Sequence, residues 1–267
     1  MGTVLIGVVG FVAYAIATIQ LYTGFASGRE IAVRRNLLIT VLALGCHAWV
    51  VSAAYLTPEG LNRGLFVSLS FMGLLINVLV VAGSLISPLR SLGLIAFPVG
   101  AAFLGTQLIA GQTPGLVTNF DWQMETHIAI ALFSFAILSL AAAQAVLLAM
   151  QERLLRSPQF SARLAFLPPL TTMEQLLFQM IGLGFVLLTM TLITGVVFVD
   201  DLFGQALVHK TVLSFAGWIV FGALLWGRWR HGWRGRRAVR LTLAGVAVLG
   251  LAYFGSKFVL EVLLDRV

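Results

Sequence analysis

Apolar residues run along this chain in eight stretches of roughly 20, with the charged residues gathered in the segments between them. The stretches cover residues 3–22, 36–56, 66–86, 91–110, 127–150, 176–198, 208–227 and 240–262. A run of that length, wound as a helix, crosses a hydrocarbon core of roughly 30 Å. The stretches leave no room for a soluble domain. Residues 1–267 are therefore expected to form a single transmembrane domain, an all-α polytopic bundle of eight helices.

The connecting segments fit that pattern. Thr57-Pro58-Glu59-Gly60 and Ser87-Pro88-Leu89-Arg90 have the composition of tight turns. Two segments are longer. One runs from Gly111 to Thr126 and carries Trp122, whose amphipathic ring suits a membrane boundary. The other runs from Gln151 to Gln175, with Pro158, Pro168 and Pro169 ahead of Thr171 and Glu174. Thr171 and Glu174 have capping-box spacing, which would start the sixth helix. That helix carries Gly182, Gly184 and Gly195 with Thr189, Thr191 and Thr194. Small residues let helices approach closely, and glycines also clear space for a flat macrocycle. The pattern does not choose between the two.

Composition confirms the class and charge orients it. Hydrophobic residues make up 60% of the chain and charged ones 10%, against about a quarter charged in soluble domains. The net charge of +7 resembles a nucleic-acid signature until it is mapped onto the loops. Thirteen of the 17 basic residues fall in alternate segments: Arg29, Arg34, Arg35, Arg90, Arg153, Arg156, Arg163, Arg228, Arg230, Arg234, Arg236, Arg237 and Arg240. The positive-inside rule places those segments in the cytoplasm and both termini outside. The basicity thus reports topology, with lipid headgroups as a secondary partner, and nucleic acid is not expected. The first apolar stretch lacks a basic leader and a small-residue cleavage site, so a retained helix is expected. A single cysteine, Cys46, excludes an intramolecular disulfide and is expected to pack. The setting expected is a bacterial inner (plasma) membrane, spanned several times.

Four histidines carry the candidate chemistry: His47, His127, His209 and His231. His127 opens the fifth stretch and His209 the seventh, at the same end of the bundle. Two imidazoles at matched depth can ligate one iron axially, the arrangement of haem b in b-type cytochromes. The competing reading for each is an interfacial histidine at a helix end. His47 lies about eleven residues into the second stretch, where an unpaired imidazole is costly. It needs a partner, and Asn77 and Gln144 lie at similar depth; a structural bond and a ligand role both remain open. His231 sits within Trp226 to Arg237, among tryptophans and arginines that either anchor the boundary or pair with porphyrin propionates. Lys257 and Glu261, at i,i+4 spacing, can pair with each other. No Ser-His-Asp set, HExxH or phosphate loop is present, so an enzyme is not expected.

The stretch from His127 to Arg156, then Pro168-Pro169-Leu170, Met173-Glu174-Gln175-Leu176 and Gly182-Leu183-Gly184-Phe185, resembles the cytochrome c assembly family of haem-handling membrane proteins. His209-Lys210-Thr211 ahead of Trp218, His231-Gly232-Trp233-Arg234-Gly235-Arg236-Arg237 and Tyr253-Phe254-Gly255 extend the likeness. It covers most of 120–260 and is similar above all to the eight-helix HemX/YpjD branch. The resemblance implies haem binding and a role in cytochrome assembly, with His127, His231 and His47 at the positions of family histidines. The family's transporters carry a tryptophan-rich outer loop that presents haem. Here the corresponding segment, Val199 to Val208, contains no tryptophan. Val208-His209-Lys210-Thr211 replaces an Asp-Pro-Lys-Glu run, and a second outer histidine near the C-terminus is absent. His209 is then the candidate for the missing ligand.

The function expected is an integral membrane haem-binding protein of haem handling or cytochrome c assembly, working with other cytochrome-biogenesis or inner-membrane proteins. A b-type electron-transfer subunit is a second reading. The third is a haem-free accessory or regulatory subunit of a transporter or other inner-membrane complex.

Overall fold

The computed structural model describes residues 2–27, 33–58, 60–110, 116–117, 121–155, 167–198 and 208–259. Among these, eight helical segments are long and apolar enough to cross a membrane. They are α1 (Gly2–Ser27), α2 (Val33–Tyr55), α3 (Leu65–Ser84), α4 (Gly93–Ala110) with the 3-10 turn Arg90–Leu92 ahead of it, α5 (Trp122–Leu155), α6 (Leu170–Phe198), α7 (Val208–His231) and α8 (Arg236–Gly250). A π turn at Leu251–Gly255 prolongs α8 and leads into a short α9 (Ser256–Phe258). The all-α, eight-span expectation is met.

Helix ends depart from the apolar stretches, because hydrogen bonding within a helix continues past the residues that end a hydrophobic run. Thus α5 starts at Trp122 rather than 127, and α6 at Leu170 rather than 176. The start of α6 directly follows Pro168-Pro169, as proline's missing N–H and fixed φ allow. The capping-box expectation is corrected: Thr171 lies inside the helix, and the Glu174 carboxylate is engaged by Arg234 instead.

The chain groups into two compact units, Met1–Thr118 with Gln151–Pro169, and Asn119–Met150 with Leu170–Val267. In the first, α1 packs on α2 and α4, and α3 on α2 and α4. Small buried residues set these contacts: Ala13 and Ala17 on α1 and Ala43 on α2. A Cβ added to Gly10 would lie 2.9 Å from the Cys46 Cβ, so Cys46 fills a close helix crossing. Two very short strands, β1 (Leu56–Thr57) and β2 (Gly60–Asn62), pair antiparallel with Thr57 opposite Gly60. A third, β3 (Leu116–Val117), pairs antiparallel with β2. Strands of two or three residues are too short to leave a periodic signal. Gln151 Nε2 donates to the Pro168 carbonyl at 2.9 Å, tying the returning segment together.

In the second unit α7 packs on α6 and α8. Side chains of α5 reach α6 directly: Ser134 Oγ donates to the Gly184 carbonyl at 3.0 Å and Gln144 Nε2 to the Met173 carbonyl at 3.0 Å. Leu138, Leu177, Ile181, Leu188, Phe221 and Leu224 are buried in this unit. The outer faces stay apolar, as lipid requires. On α6 the exposed stripe is Leu183, Val186, Met190, Ile193 and Val197; on α7 it is Val212, Phe215, Ile219 and Trp226.

Candidate functional site

Helix α6 organises the second unit through threonines. Thr189, Thr191 and Thr194 each donate a hydroxyl hydrogen to a carbonyl of their own helix, at Phe185, Leu187 and Met190. A hydroxyl has one hydrogen. Once it is used, the oxygen can only accept from a neighbouring helix. Thr189 accepts from the Trp218 indole N–H of α7 at 2.9 Å, and the indole stacks on Phe185 with ring centroids 5.5 Å apart. Thr194 faces α5, where its oxygen lies 2.9 Å from His127 Nδ1.

This second contact orients the ring. The Thr194 hydroxyl has acceptors on its own helix, Met190 O at 2.9 Å and Thr191 O at 3.1 Å. With its hydrogen on either, the oxygen accepts from Nδ1–H of His127. In that tautomer Nε2 keeps its lone pair, the state in which imidazole binds a metal. The ring is half-buried and lies over Gly195, whose added Cβ would come within 3.3 Å of the imidazole Cε1. Trp122 and Phe198 meet at the same corner, their ring centroids 6.3 Å apart. The three glycines of α6 thus divide by role. Gly184 packs against Leu138, Gly195 accommodates the His127 ring, and Gly182 has no atom within 4 Å of where its Cβ would be.

The other histidines sit elsewhere. His209, in the first turn of α7, is exposed and continues the outward stripe of Val212, Phe215 and Ile219. No hydrogen bond or ring contact joins it to His127 among the described residues. His231 ends the same helix, about 33 Å from His209 along the axis, so it cannot serve one metal with either. His47 belongs to the first unit and is fully buried. Its Nε2 lies 2.9 Å from Ser70 Oγ and its Nδ1 3.3 Å from the Tyr14 hydroxyl, so both ring nitrogens are occupied. Its partners are thus not the two picked out by depth. Asn77 donates to Gly73 O on its own helix at 2.8 Å, and Gln144 bonds Met173 O in the other unit. Lys257 lies in α9, while Glu261 and the segment 199–207 lie outside the described residues.

At the far end of the second unit, the turn from α7 to α8 is closely built. Gly232 (φ 63°) and Gly235 (φ 55°) occupy left-handed conformations, which end α7 and start α8. The amides of Gly232 and Trp233 return to the Arg228 and Gly227 carbonyls. The Trp233 ring folds onto Gly227, where any Cβ would collide with it. Arg228 stands 4.6 Å over the Phe178 ring. Arg234 Nε and Nη2 both reach Glu174 Oε2, at 2.8 and 2.6 Å. That hydrogen bond and the carboxylate charge raise the Arg234 guanidinium above its already high value.

Thr194 was missed as a partner of His127, as were Tyr14 and Ser70 as partners of His47. The pairs are 67, 33 and 23 residues apart, and nothing in the local pattern connects them. Among the described residues, no three His, Cys, Asp or Glu side chains gather as a bare ion would require.

Eight apolar spans with their polar groups turned to one another define a multi-pass integral membrane protein. The chain matches the cytochrome C assembly protein family over residues 4–264 and belongs to it. Inner membrane protein YpjD of Escherichia coli (strain K12) is 34% identical over 259 residues, which cover 94% of this chain and 96% of the relative. Cytochrome c biogenesis protein CcsA of Guillardia theta is 26% identical over 254 residues, covering 89% and 83%. No solved structure matches the chain. The family and the inner-membrane location expected from the residues are thus the ones found.

Proposed function

We propose that this protein binds haem at the corner formed by the start of α5 and the end of α6, with His127 Nε2 as an axial ligand to the iron. The observation that carries the reading is the Thr194 bond to Nδ1, which orients the ring and engages the nitrogen that is not the proposed ligand. A bare metal ion needs three or more protein ligands, whereas haem supplies four nitrogens of its own and needs only one or two from the protein. One oriented imidazole therefore suits haem where it would not suit zinc. Gly195 fits beneath the ring, and the Trp122–Phe198 pair offers an apolar aromatic wall. Family membership and the CcsA relative's name support the same chemistry.

His209, on the outward face of α7, is not assigned an iron bond in this reading, and His47 is assigned a structural role. Handling of haem for cytochrome assembly is the task proposed, with no reaction assigned to the chain. The test is the absorption spectrum of protein purified in detergent from haem-supplied cells. A Soret band is expected, lost in His127→Ala and kept in His209→Ala. Colourless wild-type protein, or a band that survives His127→Ala, overturns the reading.

A further inference from the structure

The α7–α8 turn carries more cations than the described residues engage. Arg228 is held by Phe178 and the Trp233 carbonyl, and Arg234 by Glu174. Arg230, Arg236 and Arg240 are exposed and make no ion pair or hydrogen bond among the described residues, and Arg237 only stands 6.0 Å from the Trp233 ring centre. Among the described residues, four guanidinium groups at one end of a helical hairpin are thus left without an ion-pair partner.

Their position says which surface they serve. The outward stripe of α7 is Val212, Phe215, Ile219 and Trp226, followed by Trp229 and Arg230; Trp226 is 59% exposed and Trp229 77%. The outward stripe of α8 begins with Arg236, Arg237 and Arg240 and continues as Leu243, Ala244, Ala247 and Leu251. Both faces that meet lipid therefore end in cations at the same turn, and on α7 two indole rings precede them. That is the vertical order of a phospholipid: acyl chain, glycerol boundary, phosphate. Arg228 and Arg234 are instead engaged by the protein, Arg228 at the Phe178 ring and Arg234 at the Glu174 carboxylate, and their contacts hold the turn in place.

We infer that this hairpin is a binding site for an anionic phospholipid whose headgroup carries two phosphates, gripped by Arg230, Arg236, Arg237 and Arg240 with Trp226 and Trp229 against its glycerol region. Four cations exceed what one monoanionic phosphate neutralises, and guanidinium forks match phosphate oxygens. A soluble anion would leave the exposed indoles and the apolar stripes below them unused. The site is independent of the haem reading and lies at the opposite end of α7 from His209.

The experiment is native mass spectrometry of the full chain in neutral detergent, titrated with diphosphatidylglycerol or with phosphatidylcholine. Wild type is expected to retain the diphosphatidylglycerol and release the phosphatidylcholine. At roughly fivefold per surface arginine, Arg236→Gln with Arg237→Gln weakens retention about thirtyfold, while Arg236→Lys with Arg237→Lys keeps most of it. Removing the same charge elsewhere, by Arg34→Gln with Arg35→Gln, leaves retention unchanged. Should the first variant not fold, Arg230→Gln and Arg240→Gln singly are each expected to lose roughly fivefold. Equal retention of the two lipids by wild type, or unchanged retention in the Gln variants, overturns the proposal. So does a Gln variant that keeps the lipid and loses a Soret band, because the cations would then be serving porphyrin carboxylates.

Discussion

Replacing Thr194 by valine removes one oxygen and keeps the β-branched shape. The loss acts at a distance of one bond from the proposed ligand. His127 Nδ1 loses its 2.9 Å acceptor, and nothing else in the described structure holds the proton there. The ring is then free to turn and to place its hydrogen on Nε2, where it blocks an iron bond. Loss of such an orienting partner typically weakens metal affinity 10- to 100-fold, about 1.4 to 2.8 kcal/mol. Fold stability changes by less, since the hydroxyl's own bond to Met190 O lies within one helix turn and is lost with the group that made it. The assay is haem titration of purified protein followed at the Soret band, with thermal unfolding in the same detergent as the control. Thr194→Ser, which restores the acceptor, is expected to recover most of the affinity. If Thr194→Val binds haem as tightly as wild type while His127→Ala does not bind, the tautomer argument is wrong even though the ligand is right.

Other substitutions separate structural roles from ligation. His47→Leu breaks two interhelical bonds; at about 0.6 to 1.7 kcal/mol each in a membrane, it should destabilise the protein by about 1 to 3 kcal/mol and leave the Soret band in place. A variant of wild-type stability that has lost its haem would instead make His47 a ligand. Gly227→Ala sets a methyl group against the Trp233 ring and should cost about 1 to 3 kcal/mol as overpacking. Adding Trp233→Ala is expected to restore part of that loss, and strict additivity of the two would count against the contact. For orientation, a Cys46→Ala background with Arg230→Cys should react with a membrane-impermeant thiol reagent only after the cells are opened. Labelling of intact cells would invert the topology proposed from the arginines.

The spans were visible in the sequence because each helix offers an unbroken apolar run. Their ends were not, since Trp122 and Leu170 begin helices among residues that read as loop. Depth along a helix was also visible, and it correctly marked His47 as needing a partner. Azimuth and partner identity were not visible. Asn77 and Gln144 matched His47 in depth but turn to Gly73 and Met173, whereas Tyr14 and Ser70 come from helices whose relative rotation no local pattern encodes. For His209 a usable signal existed. The phase of Val212, Phe215, Ile219 and Trp226 along α7 already places it on the outward side, a point that matched depth alone does not reveal.

The grouping of Gln151–Pro169 with Met1–Thr118 has a biosynthetic consequence. Neither unit is a continuous piece of chain, and the polypeptide changes unit three times between its ends. The ribosome has released α1 through α4 and most of α5 before the second stretch of the first unit begins at Gln151. No cut between two loops yields either unit whole. A nascent chain halted at the end of α5 therefore presents five membrane helices while each unit still lacks part of its chain.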